Sequence, residues 1–174
     1  MRRKDKEVPS RSEIDAIIRD ACNADEAAIR EVLYSVLAEY GLAPDPGGTD
    51  ADLADLEENY WKSGGVFHVV LSPDASIVGC AGLFRLSSEE AELRKMYLLP
   101  AARGRGIGKL LLLRLIADAR RLGYQRVVLE TASVLTEAIE LYRSAGFSPV
   151  SRDHLSERCD QAWKLSLRPP ESGG

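Results

Sequence analysis

The sequence predicts one α/β domain built on a mixed, mostly antiparallel sheet of about seven strands, with helices on both faces. The first observation is bulk composition: 174 residues, 45% of them apolar and 29% charged, suit a single domain with one substantial core. The second is a row of short apolar segments separated by turn residues, as in strands. The third is a set of segments with apolar residues at helical spacing, placed between those strands.

The order of these segments predicts how the sheet is built. Strands are expected at 13–21, 66–71, 76–86, 90–99, 126–131, 147–152 and 161–167. Turn residues join the second, third and fourth strands into an antiparallel meander. Helices are expected from residue 23 or 25 to 40, and at 50–61, 107–122 and 135–145. The domain is thus predicted to span 13–167, between a disordered tail at 1–12 and a flexible tail at 168–174.

Composition argues against several classes of function. The net charge of −4 leaves no basic surplus for phosphates, so we expect no nucleic-acid partner. Three cysteines and two histidines form no metal-binding spacing, so no metal site is predicted. The apolar runs are far shorter than a membrane span, and residues 1–12 are basic and polar rather than a secretory leader. We therefore predict a cytoplasmic protein with reduced thiols and no membrane partner.

The most informative segment runs from residue 92 to 109 and reads ELRKMYLLPAARGRGIGK. A predicted strand enters a turn that has glycines at 104, 106 and 108, and this turn opens a helix. Alternate glycines leave backbone N–H groups uncovered, and a helix start adds free donors and a positive dipole end. Arg103, Arg105 and Lys109 bring cationic side chains to the same place. The pattern predicts a binding site for a pyrophosphate.

Three phosphate-binding motifs compete for this turn. The Walker loop fails because Leu110 follows Gly108-Lys109, and because Arg103 stands where the first glycine belongs. The Rossmann fingerprint fails because Lys109 occupies its third glycine position and no early βαβ unit frames the turn. The third motif, the Arg-x-x-Gly-x-Gly pyrophosphate motif of acyl-CoA binding, is matched in full by Arg103, Gly106 and Gly108.

With this motif, the sequence resembles the GNAT superfamily of N-acetyltransferases. The strand MYLLP at 96–100, the strand at 127–131 and the segment AIELYRSAGF at 138–147 are similar, in order, to that family's fourth strand, next strand and late helix. The resemblance covers about residues 14–167 in element order. It implies a GNAT fold, acetyl-CoA as the acetyl donor, and no metal.

The resemblance also implies which residues hold the donor. The pyrophosphate of CoA would be bound mainly by main-chain amides of Arg103, Gly104, Arg105, Gly106, Ile107, Gly108 and Lys109. The pantetheine arm would lie against the backbone of Met96, Tyr97 and Leu98, with the Met96 amide as the oxyanion donor. Leu135 stands where relatives often carry an asparagine that contacts the cofactor, so that contact is not carried over.

Two catalytic side chains are implied in the same way. Tyr142 matches the tyrosine that protonates the departing thiolate in many family members, and a phenol with a pKa near 10 keeps its proton at neutral pH. An ordinary core tyrosine is the alternative. Glu92 stands where some members carry a general base for the amine. The other carboxylates that compete for this role are Glu89, Glu90 and Glu130.

The remaining polar candidates are given structural roles. Cys80 and His68 lie within apolar strand segments and are predicted to belong to the core, whereas His154 lies in a loop between the last two strands. An acidic run is predicted to form a solvated helix face; it comprises Asp50, Asp52, Asp55, Glu57 and Glu58.

The resemblance therefore implies an N-acetyltransferase that transfers acetyl from acetyl-CoA to a primary amine by direct attack, with both substrates bound. The amine is expected to belong to a small molecule or an amino acid. A catalytically silent acyl-CoA sensor and, more remotely, a nucleotide-binding oxidoreductase remain alternatives. Many family members are dimers, so a homodimer is left open, and the loops that select the acceptor vary freely on one fold.

Overall fold

The computed structural model describes residues 17–168, which form a seven-stranded sheet in the order β1-β2-β3-β4-β5-β7-β6. The strands are β1 (Ile18–Asp20), β2 (Val66–Leu71), β3 (Ile77–Arg85), β4 (Glu90–Leu98), β5 (Arg126–Thr131), β6 (Ser148–Val150) and β7 (Gln161–Ser166). Neighbouring strands are antiparallel except β4 and β5, which are parallel. The predicted mixed, mostly antiparallel sheet is confirmed. The predicted tails at 1–12 and, beyond Arg168, at 168–174 lie outside the described residues.

Three α-helices accompany the sheet: α1 (Glu26–Glu39), α2 (Ile107–Arg121) and α3 (Thr136–Ser144). A 3₁₀ turn at Asn23–Asp25 leads into α1, and the Asp25 carboxylate accepts the Cys22 N–H at 2.9 Å. Gly41, with φ of 68°, follows the end of α1 in the left-handed conformation typical of helix termination. Three of the four predicted helices are therefore confirmed, with ends that differ by a few residues.

The predicted helix at 50–61 is wrong in type. The chain instead forms a 3₁₀ turn at Ala51–Asp55 and a π-helical turn at Glu57–Trp61. Leu53 and Leu56 are three residues apart, which aligns them on one face of a 3₁₀ turn, and both are fully buried. The sequence pattern showed this apolar face but not the change in helical pitch.

Helices pack on both faces of the sheet, and alternation along β2 shows the division. Phe67 and Val69 belong to one core, which contains the buried face of α1. Val66 and Val70 belong to a second core, which contains the buried faces of α2 and α3. Because successive side chains of a strand point to opposite faces, the two cores lie on opposite sides of one sheet. The predicted placement of helices on both faces is confirmed.

Candidate active site

A cavity opens in the sheet where the parallel strands β4 and β5 separate. Their pairing runs from Glu90 opposite Arg126 to Leu93 opposite Leu129 and then stops. The cavity has a volume of about 570 Å³; residues 92–98 of β4 line one side and residues 130–131 of β5 line another. At ~3.3 Å per residue, the β4 side is about 20 Å long. The gap between the strands therefore suits an elongated ligand.

A β-bulge in β4 lies in the middle of this wall. On the β3 side, Cys80 is opposite Tyr97 but Gly82 is opposite Arg94, so β4 has one residue more than β3 over this interval. Lys95 takes up the difference with φ of 56°, a left-handed conformation that non-glycine residues rarely adopt. Its carbonyl oxygen accepts a hydrogen bond from the Cys80 thiol at 3.1 Å. The bulge thus sets the direction in which the backbone enters residues 96–98.

The turn at 103–109, called the glycine turn below, lies at the end of β4 and lines the cavity. Gly104 and Gly106 both have left-handed φ, of 71° and 78°. Gly106 is the N-cap of α2, and no side chain caps this helix terminus, so its first N–H groups are free to bind an anion. A Cβ on Gly108 would lie 3.3 Å from Leu98 Cδ1, so this glycine lets α2 approach β4 closely. The turn has the form of an anion-binding helix start.

The basic side chains of the glycine turn differ in their surroundings. Arg103 forms two hydrogen bonds to Glu39 of α1, at 2.6 and 2.9 Å, and donates a third to the Leu98 carbonyl at 2.9 Å. Arg103 therefore ties α1 and β4 to the turn. Lys109 is exposed and lines the cavity, whereas Arg105 is exposed and lies outside the lining. Ile107 is buried in the core, so any contact with the donor would come from its main chain.

Tyr142 lies on α3 and lines the cavity, with 5% of its surface exposed. Its ring packs against Phe147, with centroids 5.9 Å apart. Burial is the main cause that raises the pKa of Tyr142 far above its ordinary value, and the nearby Tyr97 and Cys159 act in the same direction. The phenol therefore stays protonated and is available as a proton donor across the physiological range of pH.

Glu92 also lines the cavity and is largely buried. Its Oε1 accepts a hydrogen bond from Arg94 Nε at 2.7 Å, and its Oε2 lies 3.6 Å from Arg152. Glu130, a rival for the base, faces the same cavity and accepts the Ser156 N–H at 2.8 Å. The structure thus brings Glu92 and Tyr142 into one cavity, with Glu130 beside them.

The part of the cavity near Glu92 is rich in charge, and we call it the charged end. Its carboxylates and cations alternate around the lining, which here comprises Thr49, Asp52, Glu92, Arg94, Lys95, Glu130, Ser156 and Arg158. Arg94 stacks on the Phe84 ring at 3.8 Å, which holds the guanidinium in place between carboxylates. The charged end can therefore hold a polar molecule in a fixed orientation.

Two members of the predicted solvated acidic run are in fact buried. Asp50 is 0% exposed, and the Asp52 side chain is 8% exposed. Both carboxylates lie 3.3 Å from Lys95 Nζ, which explains why they are drawn inward. The prediction of a solvated face is confirmed for the other members of the run, which are Asp55, Glu57 and Glu58.

Comparison with known proteins gives this geometry a family. The model of the Acetyltransferase (GNAT) family matches residues 32–147 of the chain. The chain belongs to the GNAT acetyltransferase family. The Escherichia coli protein described as the uncharacterized N-acetyltransferase YjgM is 40% identical over 139 residues, which are 77% of this chain and 83% of that protein.

Solved GNAT structures agree with the fold. A GNAT-family acetyltransferase from Staphylococcus aureus superposes with a TM-score of 0.81 at 25% identity, and the match covers 87% of this chain and 98% of that one. The acetyltransferase yncA from Salmonella typhimurium, solved with its cofactor acetyl-CoA, superposes with a TM-score of 0.68 at 28% identity. That match covers 90% of this chain and 96% of the Salmonella chain.

Sequence reasoning missed several residues that line the cavity of this GNAT acetyltransferase. Arg94 and Lys95 are adjacent cations inside a strand whose other residues are partly buried or buried, a pattern that signals partners of opposite charge. Arg158 lies in the loop before β7 and gives no such local signal. Leu135, which replaces an expected asparagine, lines the cavity with an apolar side chain.

The histidines are placed away from the cavity lining. His68 is buried on the α2 face, where its Nε2 lies 2.7 Å from Asp118 and its Nδ1 lies 3.1 Å from Asp20, so its predicted core position is confirmed. His154 is exposed in the loop between β6 and β7. Across residues 17–168, no cluster of three potential metal ligands is present, and none of the helices combines the length and apolar character of a membrane-spanning segment.

Proposed function

We propose that this GNAT acetyltransferase transfers the acetyl group of acetyl-CoA to the primary amine of a small molecule or an amino acid, with both substrates bound together. The observation that carries the proposal is a single cavity that includes the glycine turn, Tyr142 and the charged end. A donor held at the glycine turn and an acceptor held at the charged end would meet beside the bulge in β4. Direct attack needs such a shared space.

The residues of the glycine turn fit acetyl-CoA. The uncapped start of α2 offers backbone N–H donors and the positive end of a helix dipole to the pyrophosphate. A Cβ on Gly106 would have no heavy atom within 4 Å, so the turn is open on that side. Residues 96–98, beyond the last β4–β5 pair, would hold the pantetheine arm through their backbone. The acetyl-CoA in the Salmonella relative supports the same assignment.

Two side chains would handle the protons of the reaction. Acetyl-CoA supplies a thioester, whose carbonyl carbon is attacked by an uncharged amine. Glu92, directly or through water, would accept the proton that the amine loses, since its Oε2 is not within hydrogen-bond distance of Arg152. Tyr142 would donate its proton to the departing thiolate, and its raised pKa keeps that proton in place beforehand. The Met96 amide would donate to the carbonyl oxygen.

We also propose a cytoplasmic setting, because the three cysteines are unpaired in the structure, as expected where thiols stay reduced. A homodimer, which many family members form, remains a prediction. Sedimentation equilibrium of the purified full chain would decide it: a mass of twice the 19.1 kDa monomer would confirm the dimer, and the monomer mass would contradict it.

The test of function starts with calorimetric titration of the full chain with acetyl-CoA, CoA and NAD. We expect binding of acetyl-CoA and CoA but not NAD. A panel of small amines and amino acids is then screened for CoA release. The released CoA is detected by chromatography and not with a thiol reagent, because the exposed Cys22 would react with that reagent. Tight acetyl-CoA binding without CoA release from any amine would replace the enzyme by a silent acyl-CoA sensor. Binding of NAD alone would overturn both.

A further inference from the structure

Asp50 joins three separate segments of the chain behind the charged end. Its two carboxylate oxygens accept hydrogen bonds from Arg158, at 2.7 and 2.8 Å, across a sequence separation of 108 residues. Oδ1 also lies 3.3 Å from Lys95 Nζ, and Oδ2 accepts the Asp45 N–H at 2.9 Å. Asp50 is 0% exposed, so these bonds are made away from bulk water. We call Asp50, Lys95 and Arg158 the Asp50 clamp.

Both cations of the Asp50 clamp line the cavity, whereas Asp50 itself does not. Lys95 is the left-handed residue of the β4 bulge, next to Met96. Its ammonium group donates to the Thr49 carbonyl at 2.7 Å and lies 3.3 Å from Asp52. A strained backbone conformation persists only where its surroundings hold it in place. The loop at 45–50 provides that hold through the Lys95 side chain.

Charge balance shows why Asp50 is needed. Asp50 pairs with both Lys95 and Arg158, Asp52 pairs with Lys95, and all four side chains are largely buried. Burial tends to raise the pKa of Asp50, but hydrogen bonds from Arg158 and the Asp45 amide and the charge of Lys95 outweigh it and lower the pKa. Asp50 is therefore ionised at neutral pH. Without that charge, Arg158 would lose the carboxylate that it pairs with, and Lys95 would keep only Asp52, which Arg94 also approaches at 3.5 Å; at least one buried cation is then forced to move.

We propose that Asp50 is a positioning residue for the acceptor. It fixes Arg158, on the loop before β7, and Lys95, on the β4 bulge, in one relative geometry, so that the amine held at the charged end is aimed at the thioester beside Met96. This inference rests on the proposed function. It assigns Asp50 a larger effect on the acceptor than on acetyl-CoA, because Lys95 and Arg158 line the charged end, whereas the glycine turn, which would bind the pyrophosphate, contributes no group to the Asp50 clamp.

The kinetic test uses Asp50→Asn, which keeps the side chain's shape and removes its charge. We expect kcat/KM for the amine to fall roughly 10- to 100-fold, the scale on which displacing a positioned group by about an ångström acts. The Kd of acetyl-CoA should change much less than this, because the glycine turn is left intact. The double variant Asp50→Asn/Arg158→Met loses no more than the worse single variant, because the pair acts as a unit. Additive losses, or a matching loss of acetyl-CoA affinity, would overturn the proposal.

Two controls separate positioning from loss of stability and from failure of the proposed function. Val66→Ala, a buried change on β2 outside the cavity lining, should lower the melting temperature without changing the amine KM.

Hydrogen exchange of the Asp50→Asn protein should quicken at 94–98 and 151–160 but not in α2. That readout needs no activity, so a wild-type protein that releases no CoA would overturn the proposed function alone. Unchanged exchange in both segments would overturn the Asp50 clamp, and if Asp50→Asn does not fold, Arg158→Met takes the same measurements.

Discussion

Gly106 and Gly123 offer a matched test of the glycine turn, because they lie at opposite ends of α2 and both have a left-handed φ. Their φ values are 78° and 87°, and a Cβ on either would meet no heavy atom within 4 Å. Replacing either by alanine therefore causes no clash and costs up to the left-handed strain of ~1–2 kcal/mol, part of which a shift in φ can relieve. At ~2–4 °C per kcal/mol for a domain of this size, each variant should lose about 2–8 °C in melting temperature.

Only Gly106→Ala should weaken acetyl-CoA binding. Gly106 lines the cavity and Gly123 does not. An alanine at 106 would shift the left-handed φ of this residue toward negative values, which would turn the first N–H groups of α2 away from the anion. Loss of one hydrogen bond to a charged group costs ~1.5–3 kcal/mol, which raises the Kd about 10- to 100-fold. Calorimetric titration beside thermal unfolding measures both quantities. Equal Kd values for the two variants would refute an anion site at the glycine turn.

Three further predictions follow from single groups. Tyr142→Phe should lower kcat by about 100-fold or more and leave the acetyl-CoA Kd unchanged; an unchanged kcat would remove Tyr142 from the mechanism. Because burial raises the pKa of Tyr142, the wild-type rate should show no loss from deprotonation of this group up to about pH 9. Cys80 is buried, which raises its pKa to about 12, so it should not react with N-ethylmaleimide until the protein unfolds, whereas the exposed Cys22 should react. Mass spectrometry measures the labelling, and equal labelling of the two cysteines would contradict the buried position of Cys80. Burial favours a higher pKa for Asp118, but its hydrogen bonds with His68 and Arg121 outweigh burial, so the net effect is a lowered pKa. Asp118→Asn should therefore have a smaller free energy of unfolding in urea than the wild type near neutral pH, and this difference should disappear as the pH falls below about 4. A difference that does not depend on pH would refute this linkage.

Local patterns were enough to predict the sheet and the glycine turn. The alternation along β2 and the apolar face of α2 are set by neighbours in sequence, so both appear in the sequence as a period. The turn is also local, since three glycines, a strand before them and a helix after them lie within 18 residues from Glu92 to Lys109. What a segment does to its own backbone can be inferred from its sequence.

Contacts between distant segments could not be predicted in the same way. Asp50 and Asp52 looked like members of a solvated acidic face because their partners, Lys95 and Arg158, lie far away in sequence. The pitch of 51–61 likewise depends on which core receives Leu53 and Leu56. A carboxylate that pairs with a cation 108 residues away in sequence has the same local sequence pattern as a carboxylate that is solvated by water.

The short pairing between β4 and β5 divides the sheet mechanically. On one side lie β1 to β4 and on the other β5, β7 and β6, and four residue pairs from Glu90–Arg126 to Leu93–Leu129 form the seam between them. A ligand lodged in the gap would touch both halves and act as a staple across the seam. Because such a ligand would bind only the folded protein, it would raise the free energy of unfolding by RT ln(1 + [L]/Kd). A ligand that touched one half alone would leave the connection between them to the four pairs of the seam and to contacts such as those in the core beneath α2 and α3, which contains residues of both halves.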